Sequence, residues 1–130
     1  MRYAVLIYQD EDAQDAFSED ELEHMLECHR GLQKQSKESG HFVEANQLQK
    51  SGSATTVRRQ DGNVIVTDGP FAETKEMLIG LYVLDCETLD EAVAYASGIA
   101  HADGTALEIR PIVYHETGGN VFEAGNGGGT

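Results

Sequence analysis

Basic side chains are scarce. Lysine and arginine together number 9 against 23 aspartates and glutamates, giving the 130-residue chain a formal charge of −14. A surface this acidic repels phosphate backbones and anionic headgroups, which argues against nucleic acid and membrane as partners. Solubility is the plain consequence of the charge. Cysteine is nearly absent as well. Cys28 and Cys86 lie far apart, with no CxxC between them, so no disulfide framework is expected. His24, His41, His101 and His115 show no spacing that points to a shared metal. The apolar run Tyr3 to Tyr8 is shorter than the core of a secretion signal and meets acidic residues at once. No run approaches the ~18 residues of a membrane span. A reducing cytoplasm is the expected location. Phosphate loops and dinucleotide fingerprints are missing too, and neither a cofactor nor a metal is expected.

What is present is a repeated pattern on a length that suits one domain. Tyr3 to Tyr8 (YAVLIY) reads as a buried strand, and Gln9 to Phe17 as an acidic loop. Ser18 to Glu21 is a capping box, in which the serine hydroxyl caps the backbone and the glutamate reaches back. Behind it Leu22, Met25, Leu26, His29, Leu32 and Gln33 recur at helical spacing until Gly40 stops the helix. His41 to Leu48 reads as a strand, and Ser51 to Ser53 as a turn. Ala54 to Arg59 and Asn63 to Thr67 flank an Asp61-Gly62 hairpin turn. Leu78 to Leu84 is a second buried strand, Thr88 to Glu91 a second capping box, and Leu89 to Ala100 a second helical stripe. Thr105 to Tyr114 closes the pattern, with Leu107 and Ile109 on one face and Glu108 and Arg110 on the other.

Strand, capping box, helix, glycine, strand therefore occurs twice around a hairpin. This predicts an α+β fold, a ferredoxin-like sandwich with an inserted β-hairpin, over residues 1–114. Residues 115–130 read as a flexible Gly-rich tail. Both buried strands are apolar on both faces, while two helices cover only one face of a sheet. Leaving the other wet forgoes roughly 1.5–3 kcal/mol for each large side chain. Nothing else in the chain is expected to cover that face, so a homodimer packed sheet against sheet is expected.

Two residues stand out for chemistry. His29 is the odd member of an apolar helical stripe. It reads either as a core histidine holding one hydrogen bond or as a general acid/base. Asp68 stands in VTDGPFAETKE (Val66 to Glu76), where Gly69 precedes Pro70 and is pushed towards extended geometry, and Pro70 fits a turn. Its carboxylate either fixes that turn or stands beside His29 as an acid/base pair. Arg58, Phe71 and Lys75 are the candidate substrate-binding residues. Arg58 alternates with Arg59 and can clamp a carboxylate, Phe71 plugs the core and anchors the loop, and Lys75 can bind an anionic group.

With MRYAVLIY at its start, ATTVRRQDGNVIVTDGPFAETKE in its middle, and GLYVLDCETLDEAVAYA ahead of EIRPI, the chain resembles the YCII-related family in its DGPF-domain branch, over about Met1 to Val113. The resemblance implies a dimeric α+β barrel and a cleft where a histidine and an aspartate meet; the matching positions are His29 and Asp68. It also implies a regulatory role, since some relatives are encoded beside, or fused to, alternative sigma factors. Two main readings of function stand side by side. One is a cofactor-independent acid/base enzyme acting on a small carbonyl-containing or chlorinated molecule. The other is a non-catalytic ligand-binding or regulatory module tied to transcription control. A motif that serves only as a rigid connector, and an oxygenase by fold analogy alone, are the further alternatives.

Overall fold

The computed structural model describes residues 1–124. Its elements are β1 (Arg2–Asp10), α1 (Glu11–Asp15), α2 (Glu19–Glu38), β2 (Phe42–Gln47), a single 3-10 turn (Ser51–Ser53), β3 (Thr55–Gln60), β4 (Asn63–Asp68), β5 (Glu76–Asp85), α3 (Leu89–Ile99), β6 (Thr105–Pro111), β7 (Tyr114–Glu116) and β8 (Val121–Glu123). This is a mixed α+β chain, as expected. Its main sheet is antiparallel with strand order β2-β5-β1-β6.

Both capping boxes form. Ser18 and Glu21 exchange hydrogen bonds of 3.1 Å at the start of α2, and Thr88 and Glu91 do the same at the start of α3. Helix α2 ends where Gly40 takes a φ of +75°, which a side chain would resist. The His41 N–H then donates to the Ser36 carbonyl at 2.8 Å. Asp61 and Gly62 both have positive φ, the geometry of a tight hairpin turn that joins β3 and β4.

Strand alternation decides the core. Tyr3, Val5 and Ile7 of β1 face the same way as Tyr82 and Leu84 of β5, and they pack under Leu32 of α2 and Ala92, Ala96 and Ile99 of α3. Each large side chain so buried contributes roughly 1.5–3 kcal/mol. The opposite sheet face carries Ala4, Leu6 and Tyr8 beside Leu78, Leu81 and Val83.

Several local expectations change. Gln9 to Phe17 is not a loop. β1 runs on to Asp10, whose carboxylate caps α1 by accepting from the N–H groups of Asp12 and Ala13 at 3.0 and 3.3 Å. β6 stops at Pro111. The tail expected from residue 115 is, up to Ala124, an ordered hairpin of β7 and β8; residues 125–130 lie outside the described residues. This hairpin covers part of the sheet face that nothing in the chain was expected to cover. His115 Nε2 bonds Glu44 at 2.8 Å, its Nδ1 accepts from Arg2 at 2.8 Å, and the Arg2 guanidinium lies 4.9 Å from the centre of the Phe122 ring. Glu44 pairs across the sheet with Val83, which is only 4% exposed. The rest of that face stays half-exposed.

Candidate functional site

The helical repeat that packs Leu32 in the core and sets Met25 and Leu26 along the cavity also turns His29 and Gln33 inward, one turn apart. Strand alternation in β5 does the same for Tyr82, which sits between inward-facing Gly80 and Leu84 and is 3% exposed. The three side chains meet. The Tyr82 hydroxyl lies 2.7 Å from His29 Nδ1 and accepts from the Gln33 amide at 3.2 Å. The His29 and Tyr82 rings are nearly parallel, 5.8 Å apart between centres.

They line a cavity of about 650 Å³. Its floor is Ile7, Ile79, Gly80 and Tyr82, and its roof is the inner face of α2. Gly80 has a direct role there, since a Cβ at this position would stand 2.7 Å from the Asn46 carbonyl oxygen. The missing side chain lets β2 close onto β5 and leaves space above the floor. The segment after β2 makes one wall and α1 another. These two are tied together by the Glu11 carboxylate, which accepts from the Ser51 N–H at 2.8 Å and the Ser51 hydroxyl at 2.5 Å. Lys50 and Asp15 form an ion pair across the same junction.

Electrostatics keep His29 neutral at ordinary pH. Burial lowers its pKa first, and the nearby His101 lowers it further. The two rings are 6.4 Å apart, and Phe17 packs edge-on against His101 at 5.8 Å. His101 is itself lowered by burial and by His24. Burial raises the Tyr82 pKa, opposed by the Gln33 hydrogen bond. The phenol proton has no other acceptor among the described residues, so it is assigned to His29 Nδ1, and neutral His29 then carries its own proton on Nε2. A phenol and an imidazole in contact beside a cavity can hold and move a proton at a bound molecule.

The other sequence-predicted residues lie elsewhere. Asp68 ends β4 as an exposed residue that does not line the cavity. Its carboxylate makes no hydrogen bond or ion pair among the described residues, where the partner of His29 is Tyr82. Gly69 takes a φ of +95°, a conformation only glycine adopts readily, rather than the extended one expected before proline. Arg58 donates to the Phe71 carbonyl at 2.6 Å and stacks near its ring. Phe71 does not plug the core; it is 73% exposed. Lys75 lines a shallow groove with Asp10, Asp12 and Glu73, on the far side of α1 and the Ser51 turn from His29. Tyr82 and Gln33 were the residues missed. The signals were the four-residue step from His29 to Gln33 and the inward register of Tyr82 with Leu84.

The YCII-related domain model matches residues 1–115. A relative from Rhizobium meliloti (strain 1021), an uncharacterised protein, is 38% identical over 120 residues, which cover 91% of this chain and 97% of that one. No helix among the described residues is long and apolar enough to cross a membrane. The chain belongs to the YCII-related family.

Proposed function

We propose that this protein binds a small organic molecule in the cavity beneath α2 and moves a proton on it through His29 and Tyr82. The 2.7 Å contact between His29 Nδ1 and the Tyr82 hydroxyl, inside a cavity large enough for a ligand, carries this reading. A neutral imidazole whose Nε2–H faces the cavity can give that proton to a bound oxygen while Nδ1 takes the phenol proton behind it, and the step reverses on release. Thermal-shift screening of a metabolite library followed by turnover assays tests it. A ligand that stabilises the wild type should be converted, and His29→Gln should remove one limb of the pH–rate profile while binding persists. Stabilisation with no turnover for any hit would move the protein to the non-catalytic ligand-binding class.

The same reading includes a homodimer of ferredoxin-like halves in the DGPF-domain branch, working in a reducing compartment where Cys28 and Cys86 stay free. The strand order β2-β5-β1-β6 with α2 and α3 on one face supports the half-barrel. The β3–β4 hairpin supports the second copy. It projects as an arm with Val57 and Val66 paired at 65% and 62% exposure and Val64 beside them. An isolated two-stranded ribbon is marginal in water, and the half-exposed sheet face needs a cover of its own. A two-fold partner offers the same pair of surfaces and satisfies both at once. Sedimentation analysis should give a dimer for the wild type and a monomer for Val57→Lys/Val66→Lys; a monomeric wild type would refute this part.

A further inference from the structure

Ionic groups around the cavity are engaged, although Glu11 keeps its negative charge. Its lining acid, Glu11, has both carboxylate oxygens engaged by Ser51, and its lining base, Lys50, is paired with Asp15. The cations that the sequence offered for binding an anion are elsewhere: Arg58 is bonded within the arm, and Lys75 faces an acidic groove beyond α1. Four carboxamides supply most of the remaining polarity: Gln14, Gln33, Gln47 and Gln49. Each donates and accepts hydrogen bonds without carrying charge. Apolar surface from Ile7, Met25, Leu26, Leu48 and Ile79 fills the gaps between them.

The internal order of hydrogen bonds adds a direction. Gln33 donates to the Tyr82 oxygen, Tyr82 donates to His29 Nδ1, and His29 Nε2–H is left as a donor without a partner among the described residues. A donor in such a setting fits a ligand oxygen that accepts. A carboxylate would enter a site with no free cation among the described residues, in a chain of charge −14, and lose its hydration without compensation. An amidinium has no oxygen to accept from Nε2–H, and the one lining carboxylate, Glu11, already has both oxygens bonded to Ser51.

We propose that the cavity selects an uncharged ligand with an apolar body and a carbonyl-type oxygen that accepts from His29 Nε2–H, and rejects carboxylates of the same shape. This rests on the cavity being the ligand site. Benzamide, benzoate and benzamidine form a probe set that is matched in shape and differs in charge. Each is titrated into the full-length, isotope-labelled protein at pH 7.5, and the backbone amide shifts are followed by NMR. Benzamide should move the signals of Leu26, Gln33, Asn46 and Gly80 and bind at least about tenfold more tightly than benzoate or benzamidine, the factor one good hydrogen bond supplies. His29→Leu should reduce that affinity by about tenfold, and His29→Gln, which restores an N–H donor, should recover part of it. Equal or tighter binding of benzoate or benzamidine at the same residues overturns the selectivity and leaves the ligand site standing. No movement of the cavity amides with any of the three probes at millimolar concentration overturns both.

Discussion

Tyr82→Phe is the sharpest perturbation of the site, because it removes one oxygen and little else. The ring stays in the core beside Val5 and Ala45, its neighbours across the sheet. Two hydrogen bonds disappear, one to His29 at 2.7 Å and one from Gln33 at 3.2 Å. A protein hydrogen bond contributes about 0.5–1.5 kcal/mol net, so the pair sets a ceiling of about 3 kcal/mol. His29 and Gln33 line an open cavity, and water can rebond both, which brings the expected loss to about 1–2 kcal/mol. For a chain of this length that corresponds to a fall in Tm of roughly 4–7 °C, read by calorimetry at a fixed protein concentration so that any dimer equilibrium is held constant. A second readout is the imidazole 15N spectrum. The wild type should show His29 Nδ1 accepting and Nε2 protonated, and in the variant the two tautomers should mix. An unchanged Tm together with an unchanged tautomer would show that the phenol does not organise His29, and the chemistry proposed for the cavity would go with it.

The remaining predictions are shorter. His29 has a folded pKa below its usual value, so its contribution to stability is full above about pH 6.5 and is lost as pH falls through the folded pKa; His29→Gln should flatten that part of a denaturation-versus-pH curve. His101→Gln removes the second cause of the shift and should raise the His29 pKa in an NMR titration, whereas a static value would mean that burial alone sets it. Gly80→Ala drives a methyl to 2.7 Å from the Asn46 carbonyl and should cost about 1–3 kcal/mol in denaturant unfolding, with the ends of β2 and β5 losing hydrogen-exchange protection first. Asp68→Asn breaks no bond among the described residues and should change monomer stability by no more than about 0.5 kcal/mol; a larger loss would show that its carboxylate holds the motif turn.

What could be read in the sequence follows the range of the interactions. Both long helices were legible because a capping box, an apolar stripe and a glycine stop lie within one stretch of chain. The β3–β4 turn was legible because Asp-Gly supplies two positive φ angles in adjacent residues. His29 was legible as an inward residue, since helical spacing alone fixes its face. Its partner was not. Tyr82 lies 53 residues away, and the sequence showed only that it alternates with Leu84, not which helix crosses above it. The β7–β8 hairpin was hidden by composition. Tyr114-His115-Glu116 and Val121-Phe122-Glu123 alternate around a glycine pair, but the glycines beyond them suggested a tail. Its anchor, His115 between Arg2 and Glu44, joins three distant segments that no local pattern relates.

The TDGPFAETKE motif makes the same point from the other side. Its polar groups suggested a site wall near His29, yet its bonds run back to the arm. Gly69 N–H donates to the Ala54 carbonyl at 2.7 Å, the Thr56 hydroxyl donates to the Gly69 carbonyl at 2.7 Å, and Arg58 holds the Phe71 carbonyl. The segment is therefore a rigid extension of the β3–β4 hairpin that hands the chain to β5. Between it and the cavity stands the Glu11–Ser51 junction, made by residues 40 positions apart. The turn chemistry of the motif fixes where the arm points, and the arm carries the exposed valines. Its rigidity then serves to position an apolar ribbon, while the proton chemistry proposed for His29 and Tyr82 lies on the other side of the Glu11–Ser51 junction.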